Sequence, residues 1–171
     1  IETSGLITGH EVTGITLTAS TTNATQNGTI TPKDAVIKDG SNNTVTDNYN
    51  ITYNTGKLII NKIDNTLTVT GKTNLTYSES AQELVTASNP QGDVYYNVGT
   101  ELTSSNYSTS GSKTIPTKTN AGTYKVYYYT PGNTNYNSKS GNVSVTISKK
   151  ASSCEIDNVP TLVYPGTPSG N

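Results

Sequence analysis

Residues 121 to 129 read AGTYKVYYY, and after a polar loop residues 142 to 149 read NVSVTISK. Side chains alternate between faces along an extended chain, so Tyr124, Val126 and Tyr128 share one side and Lys125, Tyr127 and Tyr129 the other. Val143, Val145 and Ile147 again point one way while Ser144 and Thr146 point the other, the pattern of a half-buried strand. The two stretches predict an antiparallel hairpin whose structural face is formed by Tyr124, Val126, Tyr128, Val143, Val145 and Ile147. Gly122-Thr123-Tyr124 is also an arrangement in which a tyrosine hydroxyl closes a hydrogen bond onto nearby backbone.

The composition limits what can be built around that hairpin. The 171 residues are 30% hydrophobic and contain no Phe, Trp or Met, so the core must come from Val, Ile, Leu and Tyr. A net charge of -1 and abundant Thr, Val, Ile and Tyr favour a folded β protein over a disordered chain. The eleven basic residues are all lysine and are balanced by twelve acidic ones, spread without a stripe. Neither nucleic acid nor an anionic membrane surface is therefore an expected partner. No apolar run of about 18 residues predicts a membrane span, and no charged-then-apolar start predicts a secretion signal. The chain reads as an interior fragment. Cys154 is the single cysteine, which excludes an intrachain disulfide.

An internal repeat organises the rest. At an offset of 87 residues, Lys62 matches Lys149, TNLTYS (Thr73 to Ser78) matches PTLVYP (Pro160 to Pro165), and Leu58 and Ile60 fall on Val145 and Ile147. Asn48-Tyr49-Asn50 falls on Asn135-Tyr136-Asn137, although the second copy, NYNSKSG, reads as loop. The offset predicts three pieces: 1–62, a unit lacking its opening strand; 63–149, a complete unit; and 150–171, the opening strand of a further, truncated one. In the first, VTGITLTAS (Val12 to Ser20) and AVIKDG (Ala35 to Gly40) are expected strands. NYNITY and KLIINK, on either side of Asn54-Thr55-Gly56, are expected as a terminal hairpin. In the second, LTVT, LTY, ELV, VYYNVG and NYSTSG are expected strands around the turn Asn89 to Asp93. No window carries a helical period, so the expectation is antiparallel β with almost no helix, in two-layer sandwiches.

NAGTYKVYYYTPGNTNYN and VTISKK, preceded by Ile115-Pro116-Thr117, resemble the MBG repeats of bacterial surface proteins, a group with Ig-like β-sandwich character. GLITGHEVTG (Gly5 to Gly14) and IKDGSNNTVTDNYNITYNTGKLIINK (Ile37 to Lys62) are similar to a related subtype. The resemblance implies tandem antiparallel Ig-like β-sandwich repeats, an extracellular, bacterial cell-surface location, neighbouring repeats as partners, and a spacer or adhesion role without catalytic residues. Lys and Asn are plentiful near the expected strand ends, as the Lys–Asn isopeptide bonds of Ig-like surface modules require, but no motif here marks the buried acid that this chemistry needs.

Candidate chemistry is sparse. His10, the one histidine, stands in TGHEV at the entrance to a strand and is expected as a hydrogen-bonding turn residue; with a single Cys it cannot assemble a zinc site. Asp39-Gly40-Ser41-Asn42-Asn43, with Asp47 nearby, offers oxygen ligands for calcium through Asp39, Asn42 and Asp47, but these residues are equally ordinary turn formers. Tyr127 and Tyr129, with Tyr95 and Tyr96, could form an aromatic platform for a glycan or protein, or simply fill space across strands.

The expected function is thus a non-catalytic structural spacer, with an adhesion module as the alternative and an enzyme ranked well behind. As a fragment the chain is expected to be monomeric. Ile156 to Tyr164, a strand without its own sandwich, raises the second possibility of strand exchange between chains.

Overall fold

The computed structural model describes residues 2–155. Their elements are strands β1 (Glu11–Ala19), β2 (Thr25–Lys38), β3 (Gly56–Ile60), β4 (Thr68–Gly71), β5 (Leu75–Thr76), β6 (Gln82–Glu83), β7 (Val85–Ser88), β8 (Tyr95–Val98), β9 (Thr117–Lys118), β10 (Gly122–Thr130) and β11 (Lys139–Ser148). A single helical turn, α1 (Tyr107–Ser110), and a 3-10 turn at Thr46–Asn48 are the only helical pieces among them. The expected opening strand Ile156 to Tyr164 lies outside the described residues.

Four sheets form, in the orders β1-β2-β3, β5-β11-β10-β8, β4-β7 and β6-β9. All named pairings are antiparallel except β11 with β5. The fold is all-β, as the alternating segments predict. The first sheet falls within residues 11–60 and the other three within 68–148.

The quoted hairpin is the centre of the second body. β10 and β11 pair in unbroken register from Gly122↔Ile147 to Thr130↔Lys139. Their inward residues Val126, Val145 and Ile147 meet Leu67, Val69, Leu84, Val85 and Tyr96, which closes a two-layer core. Tyr124, Tyr128 and Val143 pack against it half-buried. The Tyr124 hydroxyl donates to the Asn120 carbonyl at 2.8 Å, which pins the corner where the chain enters β10. Gly141 stands opposite Tyr128, and a Cβ there would collide with the phenol ring, 2.6 Å from Cζ. The tyrosine occupies the space that the glycine leaves.

Three strand expectations need correction. NYNITY is not a strand. Its residues follow the 3-10 turn, and side chains tie it down: the Ala35 amide donates to the Tyr53 hydroxyl at 2.8 Å and the Ile37 amide to Thr46 Oγ1 at 2.8 Å. With the Ala35 and Ile37 amides bonded to hydroxyls, β3 pairs instead with the earlier half of β2, from Thr25↔Ile60 to Ile30↔Gly56. This pairing also departs from the 87-residue offset. Gly122 and Tyr124 pair with Ile147 and Val145, whereas the residues at that offset, Ala35 and Ile37, do not pair with Ile60 and Leu58. NYSTSG is likewise not a strand but the helical turn α1; Asn106 Oδ1 accepts from the Thr103 amide at 2.7 Å and the Ser110 amide donates to the Asn106 carbonyl at 2.8 Å. Finally, ELV is divided between β6 and β7. Leu84, fully buried at the crossing, bonds Pro116 O through its amide and Lys72 N through its carbonyl, so the chain changes sheets there.

β2 exceeds the expected Ala35 to Gly40 strand at its start, and includes Pro32. Proline is tolerated because β3 leaves β2 at Ile30, so that among the described residues the strand at Pro32 is paired with β1 alone.

Candidate functional site

The residues that hold the two bodies together lie in the loop between β10 and β11, residues 131–138. Gly132 starts it with φ +71°, and a Cβ there would lie 2.6 Å from the Asn137 carbonyl oxygen, so the loop closes on itself only with glycine. Asn133 Oδ1 accepts from the amides of Asn135 (2.9 Å) and Tyr136 (3.1 Å), a turn in which a side chain replaces a backbone acceptor. Asn133 Nδ2 donates to Gln91 O at 2.9 Å, which anchors the loop to its own body.

From that platform Asn135 reaches the β1–β2 turn. Its Oδ1 accepts from the Ala24 amide at 2.8 Å and its Nδ2 donates to Asn23 Oδ1 at 3.0 Å. The connecting segment is gripped as well. Ile63 N donates to Asn135 O at 3.0 Å, Asn137 N donates to Ile63 O at 2.8 Å, and Ile63 and Tyr136 thereby make a parallel bridge. Lys62 Nζ donates to Asn133 O at 2.8 Å, and Asn137 Nδ2 to Asp64 Oδ1 at 3.0 Å. No residue from 62 to 64 is left as free tether. Each such bond is worth about 0.5–1.5 kcal/mol net, and less where exposed. The sequence shows the loop but not the clasp, because its donors and acceptors meet across 71 to 112 residues; the signal available was the local density of Asn in NTNYN.

At the second body's entrance, Asn65 is 4% exposed; its Oδ1 accepts from the Leu67 amide at 2.9 Å, and its Nδ2 has no partner among the described residues. Lys139 Nζ donates to the Asn65 carbonyl at 3.2 Å. No carboxylate among the described residues bonds either side chain.

The tyrosines separate into two groups. Tyr96 does not belong to an outward platform: it faces inward opposite Tyr128 and is 5% exposed, and burial raises its phenol pKa above 10.0. Tyr95, opposite Tyr129, does share the outer face, with Asn97 opposite Tyr127. Tyr107 of α1 then covers this face. Its ring stacks on Tyr129 at 4.9 Å and 22° and meets Tyr95 edge-on at 4.8 Å. Tyr129 is left 8% exposed. Lys113 Nζ lies 5.5 Å from the Tyr95 ring and 2.6 Å from Asp93, and Lys125 Nζ lies 5.1 Å from the Tyr127 ring. The aromatic faces are engaged by the protein's own side chains.

The Asp39 loop is similarly self-contained. Asp39 Oδ1 accepts from the amides of Ser41 and Asn43, both at 2.9 Å, and Oδ2 accepts from Asn43 Nδ2 at 3.0 Å. Bonding to Asn43 holds its carboxyl below the ordinary value of 3.8. Lys38 Nζ sits 2.9 Å from Asn42 Oδ1, a cation on the very oxygen a calcium ion would use, and Asp47 belongs to the separate 3-10 turn. These contacts are those of a turn, with the oxygens of Asp39 and Asn42 engaged within it. His10 Nδ1 shares a hydrogen bond with the Tyr49 hydroxyl at 2.7 Å, and its amide closes a turn onto Ile7 O at 2.9 Å.

The first sheet leaves an open cleft of about 680 Å³ on one face, lined by Leu6, Val12, Leu17, Ile30, Ile51 and Lys57 among others. Leu17 is 51% exposed there. No helix among the described residues is long and apolar enough to cross a membrane. The geometry defines an all-β chain of two sheet bodies joined by a side-chain amide clasp. No family model matches the chain, and no curated protein or solved structure matches it.

Proposed function

We propose that this chain is a non-catalytic spacer, a stiff segment that extends or presents other domains from a bacterial cell surface. The observation that carries the reading is the clasp: the connector Lys62 to Asp64 is hydrogen-bonded along its length to the loop of the following body, and Asn135 adds a two-point grip on the turn of the preceding one. A connector held this way transmits orientation, whereas a free polar linker averages it. The resemblance of GTYKVYYYTPGNTNYN and VTISKK to MBG repeats supports the extracellular setting and gives neighbouring repeats as the partners. Of the tyrosines considered for an adhesion surface, Tyr95 and Tyr129 pack on Tyr107, Tyr96 is buried and Tyr127 has Lys125 beside its ring, which favours the spacer over recognition of a glycan or host protein.

Small-angle scattering and residual dipolar couplings on the 171-residue chain test this. One narrow set of orientations between the bodies is expected, and Asn135→Ala should broaden it while leaving each body's amide spectrum in place. A wild-type chain whose bodies already tumble independently would remove the mechanical reading. Glycan-array binding lost in Tyr127→Ala would establish the adhesion alternative.

A further inference from the structure

We propose that the free edge of β3 is a docking site for a strand, and that its occupant is the segment Ile156 to Tyr164 of a second copy of this chain. Among the described residues β3 is bonded only to β2, and none of them pairs with its other edge, which lies beside an exposed Ile59 (50%). Such an edge is a template for one more strand. Gly56 and Lys57 of β3 also line the apolar cleft, which is open for an inward side chain from an added strand.

The occupant follows from how β11 treats its own edge. β11 takes β5 in parallel, Ile147↔Leu75 and Ser148↔Thr76, and the Tyr77 amide donates to Ser148 O at 2.9 Å. Leu75 packs inward against the core. At the sequence offset of 87 residues, Ile147 and Ser148 fall on Ile60 and Asn61, and Leu75, Thr76 and Tyr77 fall on Leu162, Val163 and Tyr164. The same ladder therefore pairs Ile60 with Leu162 and Asn61 with Val163, sends Leu162 inward, and places the Tyr164 amide on Asn61 O. The β3 pairing with β2 does not follow the offset, but the edge concerned is the opposite one.

Reach selects a second copy. Lys149 to Ser152 lie beside Tyr77 and Asn120, at the far end of β11 from the clasp. From Ser152 to Leu162 a fully stretched chain covers about 34 Å. The ten residues of β11 already account for about 30 Å, before the steps from Tyr136 to Lys139 and from Ile63 back to Ile60. A chain cannot comfortably fill its own β3 edge. With donor and acceptor at opposite ends, the contact is head-to-tail and builds linear assemblies.

The test is sedimentation velocity of the 171-residue chain across a wide concentration range, under reducing conditions so that Cys154 cannot cross-link. Reversible, concentration-dependent growth of linear species is expected. Leu162→Asp should weaken it by at least about tenfold, since a charge would replace the inward apolar side chain opposite Ile60. A synthetic peptide of residues 156–166, added in excess, should cap the assemblies and return monomer. A wild-type chain that is monomeric throughout, or association that survives both Leu162→Asp and the peptide, overturns the proposal; the second outcome would indicate contact through the Leu17 cleft itself. The spacer reading stands or falls separately, on orientation within one chain.

Discussion

Tyrosine takes over the work of the missing Phe and Trp here, and each copy must satisfy a hydroxyl while filling space. Tyr124 does so on the Asn120 carbonyl and Tyr53 on the Ala35 amide. Tyr96 instead faces the core with its phenol pKa raised by burial, and that has a pH signature. The unfolded chain ionises this group near 10.0, while the folded chain holds the proton to higher pH. Stability is therefore complete below pH 10.0 and declines as pH rises through and beyond it. Thermal unfolding followed through that range should show the melting temperature falling, and Tyr96→Phe should flatten the slope; an unchanged slope would mean another group titrates. The inward placement of Val126, Val145 and Ile147 was legible from alternation alone. That Tyr129 on the opposite face is also covered was not, because the residue covering it, Tyr107, belongs to a turn with no period to read.

At the level of elements, alternation identified β1, β10 and β11 and failed at Asn48 to Tyr53. Tyr49, Ile51 and Tyr53 carry the spacing of a strand, yet β2 meets this segment through hydroxyls. Sequence period reports which side chains face a common surface; it cannot report whether backbone or side chain supplies the bond. Tyr53→Phe isolates the point. It keeps the ring and deletes the acceptor of the Ala35 amide, and the expected loss is about 0.5–1.5 kcal/mol in chemical unfolding. A backbone-paired strand would show no loss, since its outward hydroxyl would be dispensable. The same limit explains the clasp: NTNYN reads as loop from its residues, while the partners Asn23, Ala24 and Asp64 are set only by how two sheets approach.

Across the whole molecule, burial is uneven, and the two bodies should open in a definite order. Of the buried hydrophobic residues among those described, Ala35 and Ile37 belong to the first body, while the second holds Leu102, Tyr129 and one continuous cluster of Leu67, Val69, Leu84, Val85, Tyr96, Val126, Val145 and Ile147. Apolar burial supplies most of the favourable free energy, so local opening is cheaper where it is sparse. Amides of β1, β2 and β3 should exchange with solvent before those of β10 and β11, with protection lower by at least about tenfold, which corresponds to about 1.4 kcal/mol. Native-state hydrogen exchange by NMR reads this directly. The clasp then decides whether the difference is fully expressed: with Asn135 bonded to Asn23 and Ala24, the second body stabilises the turn between β1 and β2. Asn135→Ala should therefore lower protection in β1 and β2 while leaving β10 and β11 unchanged. Equal protection across both bodies, or a uniform fall in the variant, would mean that the chain unfolds as one cooperative unit rather than as a small body leaning on a larger one.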